Sequence, residues 1–324
     1  MPNRLARARR RYLDLQLARL AKRNSFAPEE ALIVSSSPRG GSSWLAQTLH
    51  QIPRTALLWE PLHLRHADDF RAIGFGWRQH IPEEAEWQEA RRALERLFRG
   101  NVLNDWIRRG ASVRELAAAD RVLVKFVRAN RLLPWLTKQF AFRRRPLFLV
   151  RHPLAVAASQ AVRFPPRLNR FADHRLADYE RPHGAFLQTL GTWEEILAAT
   201  WCLTMLPTLR HPANNERWIT VTYEHLLVEP RQTLERIFDA WAMPMPPHVL
   251  DAVREPSSTT NEATFLQGAE AQLGKWQQQF DAEQIRRLRA VLDYFEVEFY
   301  DEGLMPCAAA FGDQVPTPEA RVLV

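Results

Sequence analysis

The chain has 324 residues, 46% apolar and 25% charged, the composition of a soluble globular protein long enough to bury a large core in one α/β domain or two small ones. It contains no run of 18 or more apolar residues that would span a membrane, and its two cysteines, Cys202 and Cys307, exclude a disulfide framework and lead us to expect a reducing, cytoplasmic setting. The net charge of +7 sits at one end: residues 1–23 carry eight Lys and Arg against Asp14, the remainder is balanced, and a body of that kind is not a nucleic-acid binder.

Taken in chain order, residues 1–24 place Leu5, Leu13, Leu17 and Leu20 among the arginines, which predicts a basic amphipathic helix. No apolar segment stands behind the arginines, so they are not read as a secretory signal. A solvated helix packed on the body, contact with an anionic membrane face and contact with a polyanionic acceptor are all open for it. Apolar runs at 31–35, 122–126, 147–150 and 218–222 predict buried strands. Helical patterns fall at 44–50, 87–99, 113–119, 153–162, 190–206 and 231–241, and a last one at 282–295 has Asp281 as its N-cap. Strands alternating with helices predict an α/β fold with a parallel sheet covered by helices on both faces, forming one domain over residues 25–305. The stretch 164–184, crowded with Pro, Arg, His and Asp, reads as a long surface loop of the kind that serves as a lid or substrate segment, and 306–324 reads as a tail.

The first predicted strand runs into Ser36-Ser37-Pro38-Arg39-Gly40-Gly41-Ser42-Ser43-Trp44 and then a helix. A strand, a glycine turn and a helix N-terminus together form an anion site, because backbone N–H groups converge there and the helix dipole favours negative charge. Gly40 and Gly41 allow a tight wrap, Ser42 and Ser43 add hydroxyl donors, and Arg39 adds a fixed cation. The loop is P-loop-like but has no Gly-Lys-Ser/Thr, and the strand at 147–150 ends in Arg151 rather than a magnesium-binding aspartate. Both departures count against a metal-dependent kinase or NTPase. Further on, Arg151-His152-Pro153 with Ser159 nearly two helical turns later can grip a second phosphate.

The two motifs together resemble those of the sulfotransferase superfamily that uses 3′-phosphoadenosine 5′-phosphosulfate (PAPS). Pro38-Arg39-Gly40-Gly41-Ser42-Ser43-Trp44 is similar to that family's 5′-phosphosulfate loop, and Arg151 with Ser159 has the spacing of its 3′-phosphate motif. The resemblance implies the sulfotransferase fold, PAPS as donor, its desulfated product PAP, and no metal. Tyr223, in Val221-Thr222-Tyr223-Glu224-His225-Leu226, looks like the family's adenine-side tyrosine. Gly274 and Lys275, in Leu273-Gly274-Lys275-Trp276, look like a loop that closes over the nucleotide. Two positions depart from the pattern: Gly40 replaces a serine, and Ala269 stands where the small-molecule branch has an arginine, which shifts the 3′-phosphate onto Arg151 or another cation such as Lys275.

Sulfuryl transfer also needs a base for the acceptor hydroxyl. The small-molecule branch places a histidine two residues after a strand-end lysine, but here Lys125 is followed by Val127 at that position. Glu60-Pro61, 21 residues past Arg39, has the spacing of a glutamate–proline pair in Golgi-type carbohydrate sulfotransferases, whose Lys-x-Val-Arg is matched by Lys125-Phe126-Val127-Arg128. That resemblance implies a hydroxylated acceptor such as a sugar, with Glu60 as base if its pocket raises its pKa and Lys125 as a second cation beside the transferring group. His63 is the alternative base. Trp59, Trp77, Trp87, Trp106 and Trp135 are candidate stacking faces for an acceptor. Competing functions are a kinase- or NTPase-like phosphotransferase and a non-enzymatic nucleotide or polyanion binder acting through the basic N-terminus.

Overall fold

The computed structural model describes residues 4–164, 171, 176–258 and 268–307, so residues 165–170 and 172–175 of the expected loop at 164–184 and nearly all of the tail lie outside the described residues. Five strands form one parallel sheet: β1 Leu32–Ser36, β2 Thr55–Trp59, β3 Arg121–Phe126, β4 Leu147–Val150 and β5 Ile219–Thr222, in the order β2-β3-β1-β4-β5. Four of the five were expected. β2 is the addition, a five-residue apolar run too short to carry a period of its own, and it pairs with β3 from Thr55↔Arg121 to Trp59↔Lys125.

The strands are almost wholly buried because helices cover both faces. Alternate side chains point in opposite directions, so Leu32, Val34, Leu123, Leu149 and Val221 join one core with the helices Ser42–Leu49 and Pro230–Ala240. Ile33, Val122, Val124, Phe148 and Val150 join the other with the helices Gln88–Phe98, Pro153–Arg163, Trp193–Leu209 and Ala282–Tyr294. This two-sided burial is why the strands read as continuous apolar runs rather than alternating ones. The expected cap at Asp281 is present as a capping box with Gln284, and Thr192 makes another with Glu195. The latter starts the long helix at Trp193, three residues past the predicted onset, because Gly191 and Thr192 divert the chain first.

The N-terminal helix Arg4–Arg23 buries Leu17 and Leu20 against the body, while Asn101 Nδ2 donates to the carbonyls of Ala21 and Asn24. Its arginines from Arg7 to Arg11 are exposed, as are Tyr12 and Leu15. Among the described residues no helix is long and apolar enough to cross a membrane.

All five strands are parallel, so their C-terminal ends meet at one edge of the sheet. Ligands of open α/β sheets bind at that edge, where the strand order reverses. Here the reversal falls around β1, whose neighbours β3 and β4 lead off in opposite directions.

Candidate functional site

A cleft of about 570 Å³ opens over the strand ends. Each strand delivers something to it: Arg39 and the serines after β1, Glu60 after β2, Lys125 in β3 with Arg128 just beyond it, Arg151 after β4 and Tyr223 after β5. The order of strands divides the cleft. The anion motifs occupy the β1-β4-β5 half, and Glu60, His63, Lys125 and Arg128 occupy the β2-β3 half.

The β1 loop is held tightly. The Gly40 N–H donates to Ser37 O at 3.0 Å, and Gln160 Nε2 donates to Pro38 O at 2.7 Å, pinning the loop to the helix that follows β4. Gly41 has φ +94°, and a Cβ there would lie 2.4 Å from Tyr223 Cδ2. Its glycine is therefore required twice, by backbone and by space. Gly41→Ala is expected to destabilise the fold by about 1–3 kcal/mol, from left-handed strain and overpacking. A wild-type urea midpoint in that variant would show that the loop takes another course in solution.

Beneath the loop the Ser36 and Ser37 hydroxyls are buried with no hydrogen-bond partner among the described residues. Gly40 itself does not line the cleft; a Cβ on it would meet Ser36 Oγ at 2.3 Å. Trp44 Nε1 donates to Val253 O at 3.0 Å, and its ring meets Tyr223 edge-on at 5.5 Å, so Trp44 wedges the first helical turn in place. The opening N–H groups of that helix have no intrahelical acceptor and lie at the cleft.

Arg39 itself has left-handed backbone, φ +68°. Its Nε donates to Ser159 Oγ at 2.9 Å, and Arg151 Nη1 donates to Arg39 O at 3.2 Å. The two motifs, expected to hold separate phosphates, are thus joined directly. Ser159 accepts from Arg39 and keeps its own hydroxyl proton for an anion. Burial, with Arg151 and Arg163 nearby, lowers the pKa of the Arg39 guanidinium. Cations crowded in a poorly solvated cleft are placed for an anionic ligand.

Arg151 lies over the Tyr223 ring, 4.3 Å from its centroid. Behind Arg151 a buried network fixes the C-terminal segment. Glu224 accepts from the His152 N–H at 2.9 Å and from Tyr300 Oη at 3.0 Å, and His152 stacks on Trp276 at 5.0 Å. Burial pulls His152 down to about 4, so the ring is neutral at physiological pH. Its Nδ1 accepts from the Leu154 N–H, which leaves Nε2 to donate to Asp301 O.

This network brings Lys275 to the cleft wall. The segment expected as a closing loop is instead two short helices, Ala269–Leu273 and Lys275–Gln279. Gly274 joins them away from the cleft, its space limited by Glu270 O. The residue run does not separate a helical turn from a loop, because both are short and polar there.

On the other half, Glu60 also has left-handed backbone, φ +43°, held by its N–H to Lys125 O at 2.9 Å and by Trp106 Nε1 to Glu60 O at 3.3 Å. Lys125 Nζ lies 2.7 Å from Glu60 Oε1, and Arg128 Nη1 lies 3.5 Å from Oε2. Burial alone pushes the Glu60 carboxyl up, but Lys125 and Arg128 outweigh it and hold the group below its usual range. This corrects the expectation that the pocket raises its pKa. Glu60 is a carboxylate at neutral pH, fixed by two cations. His63 also lines the cleft, with Nδ1 buried and without a hydrogen-bond partner among the described residues; burial, then Arg128, lowers its pKa.

The tryptophans sort differently from their sequence reading. Trp135 is fully buried with Nε1 donating to Ala85 O, Trp87 packs on Phe75, and Trp77 packs against His63 and Arg128. Only Trp59 and Trp106 of the five line the cleft, and cations lie over both: Lys125 Nζ is 3.7 Å from the Trp59 centroid, and Arg109 is 4.6 Å from that of Trp106. Arg109 carried no motif and was missed.

No family profile matches the sequence, and no curated protein matches it. Solved structures of similar chain course do exist. The mouse sulfotransferase SULT7A1 complexed with PAP is 13% identical over 86% of this chain and 88% of its own, with a TM-score of 0.45. The sulfotransferase domain of the Synechococcus PCC 7002 olefin synthase is 21% identical over 86% and 97%, at 0.44. That of the curacin biosynthetic pathway is 18% identical over 85% and 99%, at 0.45. At these identities and TM-scores the likeness assigns nothing to this chain, and its residue roles rest on its own geometry.

Proposed function

We propose that this chain transfers the sulfuryl group of PAPS to an acceptor hydroxyl, with a carbohydrate or glycoconjugate as the acceptor class. The observation that carries this reading is the joining of two anion grips in one cleft. Arg39 and the Ser42–Ser43 helix start lie beside Arg151 and Ser159, linked through the Arg39–Ser159 hydrogen bond, with a fixed carboxylate in the opposite half. A donor with phosphate groups at two ends needs two such grips, and a nucleoside triphosphate does not.

In the transfer, the acceptor oxygen attacks sulfur in line with the bond from sulfur to the 5′-phosphate oxygen. The new S–O bond forms as the old one breaks, and PAP leaves with the electron pair. Arg39 stabilises the charge that grows on that leaving oxygen. The acceptor's proton passes to Glu60, which is ionised and aimed by Lys125 and Arg128; because those cations hold its pKa down, it takes the proton only as S–O bond formation acidifies the hydroxyl. Lys125 acts first as a positioning residue for Glu60, since its ammonium is engaged by that carboxylate and by the face of Trp59. Arg151 and Ser159 hold the 3′-phosphate, with Lys275 as the additional cation, and Tyr223 lies beside them on the adenine side.

Calorimetric titration with PAP, against ATP with Mg²⁺, tests the donor. Micromolar PAP binding is expected, reduced at least tenfold in Arg151→Ala, with weak ATP binding. A preference for ATP with Mg²⁺ in the wild type would overturn the reading in favour of a phosphotransferase.

A further inference from the structure

We infer that the β2 end of the cleft is a subsite for an anionic group on the acceptor, a carboxylate or a sulfate, gripped by Arg109. This rests on the transferase reading and specifies its substrate class.

Both tryptophans at the β2 end of the cleft, Trp59 and Trp106, lie under cations. Arg109 is 4.6 Å from the centroid of Trp106 and 5.4 Å from that of Trp59. The stacking of His66 on Trp106 at 4.2 Å and of Lys125 over Trp59 further occupies these rings. The indoles therefore serve as platforms for cations, and the chemistry they present to a ligand is positive charge. Asp105, the nearest acidic residue in sequence, is taken by Arg108 at 2.6 Å, and no carboxylate of the described residues pairs with Arg109.

The position of Arg109 is also rigid. It lies in the turn Ile107–Gly110, whose Ile107 is fully buried, and a Cβ on Gly110 would stand 2.6 Å from Leu57 Cγ. The turn thus lies flat on β2 and holds the guanidinium at the cleft wall. β2 is the sheet edge, three strand spacings or about 14 Å from β4, where Arg151 sits. At that distance Arg109 serves whatever occupies the acceptor half, beside Glu60 and His63, rather than the 3′-phosphate.

The test compares matched neutral and anionic sugars by calorimetry, with and without saturating PAP: 4-nitrophenyl β-D-glucoside against the glucuronide, and glucose against glucose 6-sulfate. At least one anionic member is expected to bind ten-fold or more tightly than its neutral partner. Arg109→Ala should remove most of that preference while leaving the PAP and neutral-sugar affinities unchanged. The pair that shows the preference identifies carboxylate or sulfate. Equal binding of both members in the wild type, or a preference that Arg109→Ala retains, overturns the subsite. Loss of PAP binding to the wild type would instead overturn the donor reading, and the sugar comparison without PAP still decides on Arg109.

Discussion

Arg39→Ala is expected to lower turnover by about 10²–10³, the usual cost of removing one preorganised contact to a developing oxyanion and equivalent to about 3–4 kcal/mol. The side chain contributes through its guanidinium rather than through the fold. Arg151 bonds to the carbonyl of residue 39, which the substitution keeps, and Gln160 still anchors the loop at Pro38. A backbone origin for the loss is separable because Arg39 sits at φ +68°, where any β-carbon is strained. Arg39→Gly removes the same guanidinium while relieving that strain, so it should be as inactive as alanine yet no less stable. Arg39→Lys keeps the charge but loses the fork that reaches Ser159 while facing the anion, and should recover only part of the rate. Retention of more than about a tenth of wild-type turnover in Arg39→Ala would mean that the leaving oxygen is stabilised elsewhere.

Glu60→Gln is expected to reduce transfer by about 10²–10⁴ while PAP affinity stays within about threefold, because the carboxylate stands in the half of the cleft away from the phosphate grips. Weakened PAP binding would contradict a base. An active Glu60→Gln with an inactive His63→Ala would move the role to His63, which lines the same half. The substitution has a second consequence. Lys125 is 2% exposed, and with the carboxylate replaced by a neutral amide its buried ammonium loses the opposing charge and keeps at most an amide oxygen and the Trp59 face. Breaking such a pair costs about 3 kcal/mol or more when both partners are buried, and somewhat less here because Glu60 is partly exposed. Glu60→Gln combined with Lys125→Met should restore the unfolding midpoint but not the activity, separating chemistry from stability.

The pH dependence follows from the same pair. A carboxyl whose pKa is depressed in the folded state adds stability above its unfolded value, near 4.3, and that stability is lost as pH falls through the folded pKa. The acid limb of the rate should therefore lie below the ordinary glutamate range in the wild type. In Lys125→Met the residual rate should show that limb moved to higher pH, since the main opposing charge is gone.

The residues of both proposed anion grips stood out in the sequence because their motifs begin where a local pattern changes, from a strand to a glycine turn or to a proline-started helix. Arg39, Gly41 and Ser42 follow from such a junction and Arg151 from the next one, while Ser159, nearly two turns into its helix, was picked out by the family resemblance; parallel strands carry those junctions to one edge. β2 was not legible as a strand, although the Glu60 that it delivers was picked out by its resemblance to the glutamate–proline pair of carbohydrate sulfotransferases. Arg109 gave no signal at all, since its turn is neither strand nor helix and its partners, Trp59 and Trp106, looked like acceptor platforms.

A doubly covered parallel sheet and the chemical types gathered at its edge could be read from the residues alone, because burial on both faces and helix starts leave local patterns. Tertiary structure alone decided the order of the strands. That order sets β2 beside β3, bringing Glu60 and Lys125, 65 residues apart, to 2.7 Å, and it sets β1 beside β4, bringing Arg39 to Ser159. It also decided the sign of the Glu60 shift. That sign is a difference between burial, which opposes charge, and two neighbouring cations, which favour it; both are fixed only by residues that meet across the sheet.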